Sequence, residues 1–468
     1  MTRETKDQAA VWGQAREMNG LESLMWRAEG DPRLRSTMCL LELLDVTPAW
    51  DRFVAAHEWA TRLVPRFRQR VVEPALGIGN PAWVVDANFD LSYHVRRIGL
   101  PPGSDWDTAL SVAQQLAMVP FDRARSPWEV TLVEGLPAGR CGYLLKLHHA
   151  TTDGLGVVQL LEMLHATSRE PNPTKPQPRA LPSERSTPAE LLGQQLSRDA
   201  ASIPRIAARN ALVAAHALQR PDRAVLRAAR FGASLRRVLG DPEGESSPLL
   251  AGRSLSWRFS TLDVEFAPLR TAAKAAGGSL NDAFVAALLG GFRRYHEELG
   301  RPIDTMPIAI PISVRKADHP EGGNAFAGAR LAAPVGIADP VARMQAIGNL
   351  VQEARREPAV AALGLVAPAI SRLPAPMISQ LAGGMTKAND LQASNVPGLR
   401  GDRYVAGAKV ERAYGFGPLP GCATMISLIS HGELCCIGIN LDPAAVTDAP
   451  RFVRCLREGF DEVIAVGG

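Results

Sequence analysis

Apolar and polar residues follow two rhythms along this chain. Tyr143-Leu144-Leu145-Lys146-Leu147 is an apolar run of strand length, and from Leu155 to Thr167 the apolar residues recur at helical spacing. Val130–Leu136 and Gly142–Leu147, joined across Pro137-Ala138-Gly139-Arg140, read as a hairpin. Helices are predicted at Ala267–Ala276, Asn281–Leu299, Pro340–Arg356 and Asp448–Ile464, and strands at Thr305–Val314, Ala329–Val335, Ala423–Ser430 and Glu433–Leu441. Strands broken by helices without a regular βαβ rhythm predict an α+β arrangement of mixed sheets rather than a doubly wound parallel sheet.

The pattern breaks twice. Ser168 to about Thr187 is rich in proline, serine and charge, and reads as an exposed linker. Pro188 to Gly240 is rich in alanine and arginine and should be helical; a second polar break follows at Asp241 to Ser247. The chain therefore divides into 1–168, 169–252 and 253–468, and 468 residues fit two domains of about 200 residues each. Within 198–237, nine arginines face two aspartates, with apolar residues such as Ile206, Val213 and Leu226 between them. That composition suits a basic amphipathic helix pair on an anionic lipid surface, or a solvated bridge between halves.

Composition adds exclusions. A net charge of +4 gives no reason to expect a nucleic-acid partner. Six scattered cysteines lack metal or redox spacing and fit a reducing compartment. The polar N-terminus, Met1 to Asp7, carries no apolar core of a secretory signal. Pro358 to Ile370 is too short to span a bilayer, so no transmembrane helix is expected.

The chemistry concentrates in His148-His149-Ala150-Thr151-Thr152-Asp153-Gly154, which falls between the strand and the helix of the opening pattern. Histidine moves protons near neutral pH, and a side chain at a strand end is held rigidly while it faces a cavity. Adjacent strand residues point to opposite faces, so one histidine serves the site and the other packs inward. Asp153 can fix the turn or hold a cation, and Gly154 allows a sharp turn or a close approach. A metal site is the rival reading of His and Asp together; no C-x-x-C or H-E-x-x-H accompanies them. No G-x-S-x-G nucleophile elbow is present either.

This H-H-x-x-x-D-G pattern resembles the active-site motif of the coenzyme-A-dependent acyltransferase superfamily, which includes chloramphenicol acetyltransferase and peptide-synthetase condensation domains. Further segments resemble its wax ester synthase/diacylglycerol acyltransferase (WS/DGAT) family: Pro120 to Glu129, Ser279-Leu280-Asn281-Asp282, Pro311 to Arg315 followed by Gly323-Asn324, and Ser394 to Gly398. Met18 to Glu29 matches the family's opening segment loosely, with Glu22 in place of its usual aspartate, and Ser126-Pro127-Trp128 replaces its P-L-W. The segments keep the family's order and spacing over nearly the whole chain.

The resemblance implies two chloramphenicol acetyltransferase-like domains in a pseudo-dimer, with an active-site tunnel between them and the histidine motif midway along it. It implies acyl transfer from a coenzyme A thioester, the co-substrate, to diacylglycerol or a long-chain alcohol, with no bound cofactor and no metal. His149 matches the base. His148 supports it. Asp153 either orients the histidine or pairs with an arginine, for which Arg315 is a candidate. Asn281 holds the acyl carbonyl or the acceptor hydroxyl, or else only helps Ser279 and Asp282 start a helix. Asn395, Pro397 and Gly398 would form a turn closing the tunnel floor, Gly415 and Gly417 would line the acyl pocket, and Trp128 belongs to the core. The setting implied is cytoplasmic, peripheral on the inner face of the membrane or on lipid droplets through residues 198–237. Two alternatives remain: a condensation-type transferase using a carrier-protein thioester, and a non-catalytic lipid-binding relative.

Overall fold

A computed structural model describes residues 12–172, 175, 177–179, 186–198, 200, 201, 204, 219, 246–313, 323, 324, 326–356 and 389–468. Arg315, most of 198–237 and the run from Pro358 to Ile370 lie outside the described residues.

The first part of the chain runs α1 (Gly20–Ala28), β1 (Thr37–Leu44), α2 (Trp50–Leu63), β2 (Gln69–Val72), β3 (Ala82–Val85), α3 (Leu91–His94), β4 (Val95–Gly99), α4 (Trp106–Met118), β5 (Trp128–Glu134), β6 (Cys141–His148) and α5 (Gly154–Leu164). The second part runs β7 (Arg258–Glu265), α6 (Phe266–Ala275), α7 (Leu280–Glu298), β8 (Thr305–Ser313), β9 (Phe326–Pro334), α8 (Pro340–Arg356), β10 (Leu391–Val396), β11 (Tyr404–Val405), β12 (Ala408–Phe416), β13 (Thr424–His431), β14 (Leu434–Leu441) and α9 (Ala449–Ile464).

Two six-stranded mixed sheets result, in the orders β11-β12-β1-β6-β5-β4 and β7-β14-β13-β10-β8-β9. The late strands β11 and β12 thus complete the first sheet, where β12 pairs antiparallel with β1. This exchange ties the two halves together through backbone hydrogen bonds. A shared core reinforces it: Leu41 and Leu144 of the first sheet pack in one cluster with Phe259 and Cys436 of the second. Phe259 stacks on Phe416 with ring centroids 4.0 Å apart.

Helix α7 forms the heart of the second core. Ser279 and Asp282 make a reciprocal capping box at its start, and its run of Ala, Val, Leu and Phe is fully buried. Its crossing with α9 is close because small residues face each other. A Cβ on Gly291 would stand 2.7 Å from Leu456 Cα, and one on Gly459 would stand 2.3 Å from the Ala287 carbonyl oxygen.

Residues 188–198 are helical, and Leu191 is buried on Val72, Ala82 and Val84 of the β2–β3 hairpin. Arg198 of the arginine-rich stretch is ion-paired with Glu17 of the protein itself. Among the described residues, no helix is long and apolar enough to cross a membrane.

Ser394 to Gly398 is not a turn. Ser394, Asn395 and Val396 belong to β10, which runs parallel to both β8 and β13 in the interior of the second sheet. The Pro-Gly pair ends this strand. Gly398 passes so close to β13 that a Cβ there would lie 1.2 Å from the Ser430 carbonyl oxygen.

Candidate active site

Strand β6 delivers the histidine motif. It lies between β1 and β5, and every residue in it is buried. The strand ends at His148, and His149 opens a one-turn 3-10 helix that leads through Thr152 to α5. The two histidines therefore sit in different backbone environments, not on opposite faces of one strand.

His148 is completely buried and edge-on to Trp26, with ring centroids 4.9 Å apart. Its Nδ1 accepts the Ala150 N–H at 3.0 Å, which leaves the ring proton on Nε2. Nε2 lies 3.1 Å from Glu29 Oε2. Burial alone raises the Glu29 carboxyl; His148 and the Ser36 N–H outweigh it and hold Glu29 below the usual range. Nδ1 of His148 thus fixes the motif's own turn, and Nε2 ties the motif to Glu29 just after α1.

His149 is half-buried and meets the other half of the molecule. Its Nδ1 lies 3.0 Å from Asn324 Oδ1, and the Asn324 amide Nδ2 donates to the His149 carbonyl oxygen at 2.8 Å. Phe326, at the start of β9, covers the ring at a centroid distance of 5.4 Å. Among the described residues, nothing hydrogen-bonds Nε2. Burial is the largest influence on the ring and holds its pKa below the ordinary 6.5, although the histidine's own backbone, Asp153 and Asn324 push upward. A neutral imidazole with an open Nε2 is a competent base.

Asp153 is the N-cap of α5. Its Oδ1 accepts the Gly156 N–H at 2.9 Å, so it does not complete a triad; the Nδ1 position is taken by Asn324. Its backbone N–H donates to the Gly323 carbonyl oxygen at 3.2 Å. Gly154 keeps a negative φ and opens α5. Its lack of a side chain serves close approach, since a Cβ there would lie 3.1 Å from Val396 Cγ2 on β10.

The remaining predicted positions divide. Asp282 caps α7 as read from the sequence, and Asn281 is half-buried in the first turn of that helix. Among the described residues, no hydrogen bond joins Asn281 to His149. Trp128 is buried, with Nε1 donating to the Phe67 carbonyl at 2.8 Å. Asn395 is half-buried on β10 and Pro397 is exposed. Gly415 and Gly417 are closely packed. A Cβ on Gly415 would lie 3.0 Å from Ser427 Oγ, and one on Gly417 would lie 2.7 Å from Met425 Cε, so both allow a close approach to β13. A cavity of about 30 Å³ lies where β1, α5 and the end of β10 meet, lined by Glu42, Val157, Leu161, Val396, Ile429 and others.

Asn324, Glu22 and Asn19 have a part in the site that sequence reasoning did not assign. Asn19 and Glu22 form the capping box of α1, and Glu22 Oε1 also accepts the Asn324 backbone N–H at 2.9 Å. Asn19 Nδ2 donates to the Asn324 carbonyl at 3.0 Å. Burial raises the Glu22 carboxyl, with the buried Arg66 guanidinium and these hydrogen bonds opposing it. The N-x-x-E spacing of Asn19 and Glu22 is a helix-start signal in the sequence; the reach to Asn324 is not.

Comparison with known proteins identifies the family and the fold. The model of the wax ester synthase/diacylglycerol acyltransferase catalytic domain matches residues 18–284, and that of the WS/DGAT C-terminal domain matches 322–463. A Mycobacterium tuberculosis protein bearing the name diacylglycerol O-acyltransferase is 42% identical over 460 residues, 97% of this chain and 92% of its own. Another from that organism with the same name is 28% identical over 470 residues, 96% and 97% of the two chains. Among solved structures, the wax ester synthase/diacylglycerol acyltransferase of Marinobacter aquaeolei VT8 superposes with a TM-score of 0.63 at 19% identity, over 97% of this chain and all of that one. The first condensation domain of the CDA synthetase gives 0.57 at 16% identity, over 96% and 97%. The mixed-sheet fold is therefore the chloramphenicol acetyltransferase-like one, and the chain belongs to the wax ester synthase/diacylglycerol acyltransferase family of O-acyltransferases.

Proposed function

We propose that this enzyme moves a long-chain acyl group from coenzyme A to the hydroxyl of diacylglycerol or of a fatty alcohol, with His149 as general base. The observation that carries the reading is the state of His149: a ring kept neutral by burial, engaged at Nδ1 and open at Nε2, at the seam of the two halves. Nε2 takes the proton of the acceptor hydroxyl as its oxygen attacks the thioester carbonyl carbon. The tetrahedral oxyanion then collapses, the C–S bond breaks, and Nε2–H returns the proton to the leaving thiolate. The products are an ester and free coenzyme A, and no acyl-enzyme forms. Asn281 is proposed to donate its amide to the reacting carbonyl. Its replacement by alanine then lowers kcat on the order of 10²-fold, whereas a helix-start role costs about 1 kcal/mol of stability at normal turnover.

The direct test is thioester consumption with a panel of acyl-CoAs and acceptors, read by product mass. Ester formed from free acyl-CoA supports the reading. Turnover only with a carrier-protein thioester favours a condensation-type transferase, and no turnover with either favours a lipid-binding relative.

The arginines of 198–237 are proposed to dock the enzyme on an anionic membrane or droplet surface on the cytoplasmic side, where each basic residue contributes about 1 kcal/mol. Changing Arg220, Arg223, Arg227 and Arg230 to Glu then weakens sedimentation with anionic vesicles and spares turnover of a short soluble alcohol. Unchanged sedimentation at low salt makes the segment an inter-domain bridge instead.

A further inference from the structure

We infer that Asn324 is the positioning residue that sets the tautomer of His149, and that the Asn19–Glu22 capping box holds Asn324 for this task. The inference rests on the reading of His149 as the base. A neutral imidazole carries one proton, and which nitrogen bears it is decided by the partner of the other. A base that works through Nε2 must hold its proton on Nδ1.

The carboxamide of Asn324 fixes this by its own orientation. Nδ2 donates to the His149 carbonyl oxygen, so Oδ1 is the atom that faces Nδ1. An oxygen accepts only, so Nδ1 must carry the proton. Flipping the amide would set Oδ1 against the His149 carbonyl oxygen, lose that bond, and present Nδ2 to Nδ1, which would favour the opposite tautomer. The two contacts to one residue therefore favour the proton on Nδ1, beside the ring's own backbone and the charge of Asp153, which also act on it.

The support behind Asn324 is as specific. Its backbone N–H donates to Glu22 Oε1, and its backbone carbonyl accepts from Asn19 Nδ2. Asn19 and Glu22 fix each other through the Asn19 N–H to Glu22 Oε2, 2.9 Å, and the Glu22 N–H to Asn19 Oδ1, 3.0 Å. All four polar groups of Asn324 are thereby paired. Gly323 makes the approach possible: its φ is +65°, and a Cβ there would sit 3.0 Å from Glu22 Oε1. Three segments far apart in the chain, at 19–22, 148–154 and 323–324, meet to orient one ring.

The test reads the proton directly. In the full-length protein labelled with ¹⁵N-histidine, the His149 signals are assigned by their loss in His149→Gln. We expect a protonated Nδ1 and a bare Nε2 in the wild type. Asn324→Ala should move the proton wholly or partly to Nε2 and lower kcat about 10²-fold, the lower end of what a general base contributes, with KM changed only a few-fold. Asn324→Asp, nearly isosteric, keeps an acceptor at Nδ1 and adds a negative charge. It should move the acid limb of kcat/KM to higher pH, which a purely structural residue would not do. The inference is overturned by an Nε2–H tautomer in the wild type, by an Asn324→Ala spectrum and kcat like the wild type, or by an unmoved acid limb in Asn324→Asp. Should His149→Gln turn over normally, the base assignment fails on its own, while the tautomer measurement still stands.

Discussion

Gly154 at the start of α5 faces Val396 at the end of β10 more tightly than ordinary contact: a Cβ would lie 3.1 Å from Val396 Cγ2. One residue belongs to the histidine motif and the other to the sheet of the opposite half. A glycine and a valine therefore meet closely across the seam near His149. Gly154→Val should overpack this contact at a cost of about 1–3 kcal/mol and lower turnover as well. Val396→Ala should restore part of both losses in the double variant. Melting curves and rates for the four proteins of this cycle check the coupling; additive losses would place the effect of Gly154 elsewhere.

His148 and His149 should fail differently. His148→Ala strands the Ala150 N–H and leaves the Glu29 carboxylate without its buried partner. Leaving a buried donor or acceptor unsatisfied typically costs about 1–3 kcal/mol, and the Ser36 N–H that Glu29 keeps limits the loss on that side. His149→Ala should instead cut the rate on the order of 10²–10⁴-fold with little change in melting temperature. The sign of the pH effect follows from Glu29, whose folded pKa lies below 4.5. Its contribution is present above about pH 4.5 and fades as pH falls through the folded value, so the gap between wild type and His148→Ala narrows in acid.

The same logic gives the activity profile. Burial holds His149 below the ordinary 6.5, so the neutral base persists to lower pH than a free imidazole would allow. With a soluble acceptor, the acid limb of kcat/KM should lie below pH 6.5. A limb above that value would show a ring already charged at rest, at odds with the burial seen here.

How far the sequence reveals this site depends on whether the signal is local. Helix α8 is found at Pro340–Arg356 as predicted, because proline at its first position and its amphipathic repeat are local properties. The capping of α7 by Ser279 and Asp282 is local in the same way. Strand β10 is misread because Pro397 and Gly398, strong turn formers, directly follow it, and only Leu391 and Ala393 are buried in its six residues. Asn324 carries no local signal at all. Its partners lie 175 and more residues away, and the folded seam alone brings them together.

The far end of α5 carries a second buried histidine with the opposite pH sign. His165 Nε2 lies 3.0 Å from Glu42 Oε2, both side chains nearly inaccessible, and His165 Nδ1 bonds the Leu161 carbonyl at the end of the helix. Burial disfavours the charged ring, but Glu42 outweighs it and raises the pKa of His165 above 6.5. A raised histidine stabilises the fold fully below its unfolded value and loses that contribution as pH rises through the folded one. Glu42→Gln keeps a hydrogen-bonding amide and removes the charge. It should therefore be less stable than wild type by about 1.5–3 kcal/mol below pH 6.5, the range for a hydrogen bond to a charged group. The difference should shrink steadily as pH is raised, read from denaturant midpoints of both proteins across the range. A difference that stays constant or grows with pH would mean that His165 is neutral beside Glu42, and that the pair anchors α5 by an uncharged hydrogen bond.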